Sequence, residues 1–134
     1  MDHWGTVSLS DFIKGKEYSF DKFDSIFEQI VKALDHLHSR SIAHRDLKLT
    51  NLMLVDSKIC LIDFGMATKI SSIQEYLNCG TSLYQAPEIF AGKGYSGDKV
   101  DIWALGVICY RMLSGSFPFE GGPEGAEMEN GDLL

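Results

Sequence analysis

The sequence lacks the features that place a chain in a membrane or on a nucleic acid. It contains 12 Lys or Arg against 19 Asp or Glu, a net charge of −7 with no basic patch. Its longest apolar tract, Val100–Leu113, is too short to cross a bilayer and contains Asp101 and Arg111. No basic stretch followed by an apolar one stands near Met1, so we expect no signal peptide. We therefore expect neither a membrane nor a nucleic-acid partner.

Cysteine is also scarce. Cys60, Cys79 and Cys109 are widely spaced and form no CxxC pair. Cys60 and Cys109 lie within apolar runs, where cysteine behaves as a small hydrophobic residue. An odd number of cysteines without a secretion signal is typical of a reducing compartment, so we expect a cytoplasmic or nuclear protein.

The acidic charge is concentrated at the end of the chain. Residues 116–134 contain five acidic residues and no Lys or Arg, so residues 1–115 carry a net charge of only −2. The length suits one domain, and a hydrophobic content of 45% permits a sizeable core. We expect a folded domain over residues 1–120 and an acidic, disordered tail over residues 121–134.

The spacing of apolar residues predicts two helices. From Phe20 to Leu37 they recur at steps of three and four, which predicts a helix over residues 21–39 with Ser19 as N-cap. Residues 96–113 are apolar around most of a helical circumference, which predicts a helix in the middle of a core. Residues 63–88 have no sustained period and indicate a long ordered loop of functional use.

Polar residues flank a predicted β-hairpin. The apolar runs 52–55 and 59–62 are separated by a turn signal, with Asn51 before the first run and Asp63 after the second. The hairpin would bring both side chains to one edge, where their oxygens suit a hard cation such as Mg²⁺. Asp46 would lie nearby as a proton acceptor. A metal, a base and a nearby cation are what phosphoryl transfer requires, because its catalysis is mostly positioning and charge neutralisation.

Five motifs in order resemble the signatures of eukaryotic protein kinases. They are HRDLKLTN (44–51), DFG (63–65), GTSLYQ (80–85), APE (86–88) and DIWALGV (101–107). The similarity is greatest to the serine/threonine class, in particular to calcium/calmodulin-dependent and AMP-activated kinases. It implies transfer of the γ-phosphate of ATP to Ser or Thr hydroxyls of a protein substrate.

The resemblance also implies a fold, which is mainly α with a small β-hairpin. MDHWGTVSLSDFI (1–13) resembles the kinase hinge and the helix after it, and the sequence contains no glycine-rich phosphate loop and no VAIK lysine. We therefore expect a fragment of the large lobe (C-lobe), with the small lobe (N-lobe) absent or supplied in trans by a partner. Such a chain should bind ATP very weakly, because adenine would lose the apolar roof that the small lobe provides.

The resemblance assigns roles to single residues of the catalytic region. It implies that Asp46 accepts or orients the hydroxyl proton and that Lys48 steadies the γ-phosphate. Asn51 and Asp63 would hold Mg²⁺, and Met53 would form the floor under adenine. ATP and Mg²⁺ are therefore the expected cofactors.

Further roles concern support and regulation. The resemblance implies that Arg45 receives an activation-loop phosphate, that Asp101 braces the catalytic loop, which is the HRDLKLTN segment (44–51), and that His44 and Phe64 stack in the active state. Thr81 together with Lys48 marks the serine/threonine class.

The usual phosphothreonine position before Cys79 is taken by Leu77 and Asn78, so we expect no dependence on phosphorylation there. Other candidates for an anionic partner of Arg45 are Ser71, Ser72, Glu75 and Tyr76. Thr50 and Ser8 occupy positions at which kinases that prefer basic substrates often have acidic residues. We therefore do not predict a basic substrate.

Two weaker patterns favour structural roles. GKGYSG (92–97) matches a phosphate-loop pattern but follows no strand, so we interpret it as a turn before the second long helix. His36 and His38 are two residues apart on a helix and point in different directions, which favours a structural role over a metal pair. One alternative function stays open, a catalytically inactive kinase fragment that acts as a protein-binding module.

Overall fold

The computed structural model describes residues 6–14, 18–70 and 80–119. In chain order the strands and helices are β1 (Thr6–Ser8), α1 (Leu9–Ile13), α2 (Phe20–His38), β2 (Ile42–Ala43), β3 (Leu52–Val55), β4 (Lys58–Leu61), β5 (Thr68–Lys69), α3 (Pro87–Ala91) and α4 (Gly97–Ser114). Two 3-10 turns lie at Leu49–Asn51 and Ser82–Tyr84. The predicted acidic tail lies outside the described residues. No helix among the described residues is long and apolar enough to cross a bilayer.

Helix α2 confirms the prediction from hydrophobic spacing, with its bounds one residue earlier than expected. Its N-cap is Ser19, whose Oγ accepts a hydrogen bond of 3.1 Å from the backbone N–H of Lys22. The helix turns an apolar stripe toward the core, and Ile26 and Ile30 are almost completely buried there. This packing fixes the end of α2 next to the segment that leads into the catalytic-loop motif.

The predicted hairpin is present but belongs to a three-stranded antiparallel sheet with the order β1-β3-β4. Its second strand begins and ends one residue earlier than predicted. The turn residues Asp56 and Ser57 both have positive φ, at 51° and 72°, as two-residue hairpin turns of the favoured handedness require. Leu52 and Leu54 point into the core, and Met53 lies on the opposite face.

The prediction of a long loop over residues 63–88 is wrong in part. β5 pairs antiparallel with β2, so that Ala43 lies opposite Thr68. A 3-10 turn and the beginning of α3 occupy the end of the same segment. These elements are too short to show a hydrophobic period, which explains why the sequence pattern missed them. Residues 71–79 lie outside the described part of the chain.

Helix α4 is buried on one side only, so the prediction of a fully central helix is wrong for its other side. Val107 and Ile108 face the core, whereas Ile102, Tyr110 and Leu113 are 55%, 48% and 57% exposed. No described element covers that face. The turn predicted over residues 92–97 is confirmed by the positive φ values of Gly92 and Gly94, 72° and 88°.

Candidate active site

The catalytic loop is held by one buried carboxylate on α4. Asp101 is 1% exposed, and its oxygens accept hydrogen bonds of 2.8 Å from the backbone N–H groups of His44 and Arg45. Its Oδ2 also lies 2.9 Å from Nε2 of His38, at the end of α2. A buried carboxylate requires such partners. Asp101 therefore joins two helices to the loop that carries Asp46.

The His44 side chain has a defined hydrogen-bonding role. The backbone N–H of Asp46 donates to Nδ1 of His44 over 3.1 Å, so this nitrogen is an acceptor. Nε2 must then carry the proton and donate to the carbonyl of Ile62, 3.0 Å away. The rings of His44 and Phe64 meet edge-on with centroids 5.0 Å apart. The two rings predicted to stack are thus in contact, and His44 connects the catalytic loop to the DFG segment.

Asp46 lies in a chain of polar contacts with Lys48 and Thr81. Lys48 Nζ donates to Thr81 Oγ1 over 2.7 Å, and the same hydroxyl donates to Asp46 Oδ1 over 3.1 Å. Lys48 Nζ is 3.9 Å from Asp46 Oδ2. An alcohol hydroxyl is therefore already directed at the carboxylate beside a fixed positive charge. This arrangement can orient an O–H group for proton transfer.

Gly80 permits this contact. Its φ is +98°, and a Cβ at this position would lie 2.8 Å from the backbone oxygen of Arg45. The two backbones can approach this closely only because residue 80 has no side chain. Thr81, the next residue, is thereby brought to the catalytic loop from 35 residues away in the sequence.

Asn51 and Asp63 lie at the edge that the hairpin was predicted to create. The backbone N–H of Ile62 donates to the carbonyl of Asn51 over 2.9 Å, so the end of β4 adjoins the start of β3. Asn51 Nδ2 donates to the carbonyl of Asp46 over 2.9 Å, which leaves its Oδ1 without a donor among the described residues. Asp63 is exposed and receives a 3.3 Å hydrogen bond from Gly65 N–H.

The donor set at this edge fits Mg²⁺. The described residues contain no cluster of three or more His, Cys, Asp or Glu side chains that could form an all-protein metal cage. One amide oxygen and one carboxylate suit an ion that keeps several waters and takes its other ligands from phosphates. The residues present therefore fit an ion that arrives with a nucleotide.

Arg45 is held in a strained conformation by several contacts. Its φ is +67°, which is uncommon for a residue with a side chain. Its Nε donates to the carbonyl of Met66 over 2.8 Å, and Nη1 lies 3.3 Å from the hydroxyl of Tyr95. The candidates for an anionic partner, Ser71, Ser72, Glu75 and Tyr76, lie outside the described residues, as do Leu77 and Asn78 at the usual phosphothreonine position.

Met53 lies on the face of the three-stranded sheet that points away from the core. Its neighbours across the sheet are Ser8 on β1 and Cys60 on β4. Met53 is half-buried and Cys60 is exposed. The structure thus places Met53 two residues from Asn51 on the face of the sheet that points away from the core.

Three contacts at the site were not predicted. The hydrogen bond of His38 to Asp101 agrees with the structural role that the sequence favoured, but Asp101 is 63 residues away in the chain, so no local pattern could reveal this partner. Tyr95 reaches Arg45 from a segment interpreted only as a turn. Gly97 is needed because a Cβ there would lie 2.7 Å from Cβ of Ala43. Its position at the start of a predicted helix, where other residues are favoured, was the available signal.

Comparisons with known proteins agree with this geometry. A family model described as protein kinase domain matches residues 1–132. Mouse sperm motility kinase 2B is 40% identical over 116 residues, which is 84% of this chain and 24% of that protein. Mouse sperm motility kinase 3A is 42% identical over 98 residues, 72% of this chain and 19% of that protein. The CBL-interacting serine/threonine-protein kinase 5 of Arabidopsis thaliana is 40% identical over 112 residues, 80% of this chain and 25% of that protein.

The chain belongs to the protein kinase family, and one of these relatives, the Arabidopsis protein, is by name a serine/threonine-protein kinase. The family prediction from the motifs is confirmed. The chain spans about a quarter or less of the length of these curated relatives.

Proposed function

We propose that this chain carries the catalytic and magnesium-binding part of a serine/threonine protein kinase. One observation supports this most: the hydroxyl of Thr81 lies between Lys48 Nζ, at 2.7 Å, and Asp46 Oδ1, at 3.1 Å. A carboxylate that accepts an alcohol proton beside a fixed cation has the chemistry needed to orient a Ser or Thr hydroxyl for attack on a phosphate.

We propose the following roles, which the positions of the side chains support. Asp46 orients the hydroxyl of the protein substrate, and Lys48 neutralises charge on the transferred phosphate. Asn51 Oδ1 and the Asp63 carboxylate would hold Mg²⁺, which would neutralise negative charge on the phosphates of ATP. Met53 supports the adenine ring from the open face of the sheet.

The positions of Arg45 and Thr81 support roles in positioning other residues of the site. The guanidinium of Arg45 ties the catalytic loop to the segment after DFG through the carbonyl of Met66. Thr81 positions Lys48 and Asp46 relative to each other. Arg45 acts through the backbone of the loop, so we propose it as a positioning residue.

We further propose that residues 1–120 correspond to the large-lobe part of the kinase domain. Helix α4, the catalytic loop and the three-stranded sheet support this proposal. The nucleotide roof and the phosphate-binding lysine would then come from a small lobe, either in the same gene product or from a partner. The cytoplasmic or nuclear location and the disordered tail stay predictions.

A second candidate function is a binding module without catalysis. The exposed apolar face of α4, with Ile102, Tyr110 and Leu113, favours it, because exposed apolar patches are typical of protein-interaction surfaces. The side chains of Asp46, Lys48 and Thr81 would be dispensable in such a module.

Phosphoryl transfer tests the proposal directly. The chain is incubated with radiolabelled Mg-ATP and a mixture of Ser- and Thr-containing peptides, alone and with a kinase small lobe added in trans. We expect transfer that falls at least a hundredfold in Asp46→Asn, because general-base catalysis contributes about 10² or more. Glu28→Gln on the exposed surface of α2 is the control. Equal activity of Asp46→Asn and wild type would exclude the proposed role of Asp46.

A further inference from the structure

A pocket of about 240 Å³ adjoins the catalytic residues on the side of α1 and the end of α4. Three cationic side chains line it, those of Lys14, Lys48 and Arg111. Hydroxyl groups of Thr50 and Thr81 add polar surface. No described residue that lines the pocket carries a carboxylate. The described part of the lining is therefore positively charged, although the net charge of the protein is −7.

The charge of Arg111 is only partly satisfied. Nη1 donates to the carbonyl of Gly115 over 2.6 Å, and the guanidinium carbon lies 5.2 Å from the ring centroid of Phe117. Nε is buried and has no acceptor among the described residues. None of the described carboxylates forms an ion pair with Arg111. A half-buried guanidinium whose Nε lacks an acceptor gains from an anion that reaches it.

The phenol of Tyr84 lies close enough to Arg111 for the two to interact electrostatically. Burial raises the pKa of Tyr84 to about 12, against the opposing effects of its contact with the Leu49 N–H and of the positive charge of Arg111. Tyr84 is itself part of the pocket lining. The cationic side chains that line the pocket would favour a negatively charged group placed there.

The two lysines leave room for an added anion. Lys14 pairs with Asp11 over 3.5 Å, but both side chains are about two-thirds exposed, so this pair is weak and easily exchanged. Lys48 and Thr81 line the pocket and also contact Asp46. A group bound in the pocket thus lies one side chain away from the proposed base.

We infer that this pocket is a specificity subsite for an acidic side chain of the protein substrate, close in sequence to the hydroxyl that receives the phosphate. The inference rests on the proposed kinase function and adds the class of substrate. Arg111 is its central specificity residue, with Lys14 at the rim. Lys48 serves both the pocket and the catalytic contacts.

The first test uses the wild-type chain and matched peptides, so it does not depend on any variant folding. Each fluorescent peptide contains one Ser flanked by Glu, Gln or Lys, and a fourth peptide carries the same Glu residues far from the Ser. Binding is measured by fluorescence anisotropy at two salt concentrations. We expect the peptide with flanking Glu to bind about tenfold tighter than the Lys and Gln peptides and the displaced-Glu peptide, with the preference reduced by salt.

The second test removes the charge of the pocket. Arg111→Gln should reduce the preference for flanking Glu by a factor of about ten. Lys99→Gln is the matched control, because Lys99 is exposed on the same helix and does not line the pocket. Lys14→Gln, at a side chain 67% exposed, provides a variant with little risk of unfolding and should lose a smaller part of the preference.

The outcomes separate this inference from the proposed function. One outcome would overturn the inference and leave the kinase function standing. In it, phosphoryl transfer depends on Asp46 but shows no preference for flanking Glu, and folded Arg111→Gln behaves like wild type. Tight binding of the Glu peptide without any transfer that depends on Asp46 would overturn both the kinase function and the assignment of the pocket to a substrate. Preference in binding and in transfer, both lost in Arg111→Gln, is the expected result.

Discussion

Removal of the Asp101 carboxylate should destabilise the protein strongly, because two backbone N–H groups depend on it. In Asp101→Ala the N–H groups of His44 and Arg45 lose their 2.8 Å acceptors at a site that is 1% exposed. Each buried donor without an acceptor costs about 1–3 kcal/mol, so the pair amounts to about 2–6 kcal/mol. This is a large part of the 5–15 kcal/mol by which a domain is typically stable.

The variant Asp101→Asn gives a graded test of the same account. Its amide oxygen can still accept from one N–H group, while its NH₂ group faces the other, so we expect about half the loss of Asp101→Ala. In Asp101→Ala His38 also loses its partner but can turn to water, because its side chain is 19% exposed.

Urea unfolding of the two variants measures the change in the free energy of unfolding. Asp24→Ala on the exposed side of α2 is the control for loss of a carboxylate. Amide hydrogen exchange of residues 44 and 45 should accelerate in both Asp101 variants and not in the control. A cost for Asp101→Ala within about 0.5 kcal/mol of the control would refute the bracing role.

Two further predictions concern packing and pH. Gly97→Ala should lower the free energy of unfolding by about 1–3 kcal/mol, because its Cβ would lie 2.7 Å from Cβ of Ala43. Gly106→Ala should raise it by about 0.5–1 kcal/mol, because a Cβ at this position meets nothing within 4 Å. Urea unfolding in which both variants behave alike would contradict this prediction. The raised pKa of Tyr84, about 12 against an ordinary 10.0, favours the neutral phenol in the folded state. The stabilisation that this preference provides is complete below pH 10 and declines as the pH rises toward about 12. In denaturant titrations across that interval, the free energy of unfolding should therefore fall by about 2–3 kcal/mol more in wild type than in Tyr84→Phe. An equal loss in both would contradict the assignment.

The parts of the fold that follow from local sequence were predictable. The periodic apolar positions of α2 and the Ser19 cap indicated the helix, and the turn residues Asp56 and Ser57 indicated the hairpin. Asp101 was expected to be buried and to bind the catalytic loop, and its contacts agree. In each case the residues that decide the structure lie near one another in the chain or belong to a family motif.

The parts that depend on distant contacts were not predictable. The pocket around Arg111 combines α1, the first 3-10 turn and the end of α4, and no sequence pattern connects these segments. The pairing of β5 with β2 involves only two residues on each strand, too few for a periodic signal. The exposure of one face of α4 was not predicted, because a helix pattern that is apolar all round predicts burial but does not indicate which other elements cover each face.

The most direct test of the account uses Mn²⁺ in place of Mg²⁺. Its paramagnetism broadens NMR signals of nearby nuclei even when binding is weak, so the test needs no turnover. With Mn²⁺ and ATP added to the isotopically labelled chain, we expect selective broadening at Asn51, Asp63 and Asp46, and we expect Asn51→Ala with Asp63→Ala to remove it. Broadening centred elsewhere in the molecule, or unchanged by this double substitution, would contradict the claim that these side chains hold the metal beside the proton-accepting carboxylate.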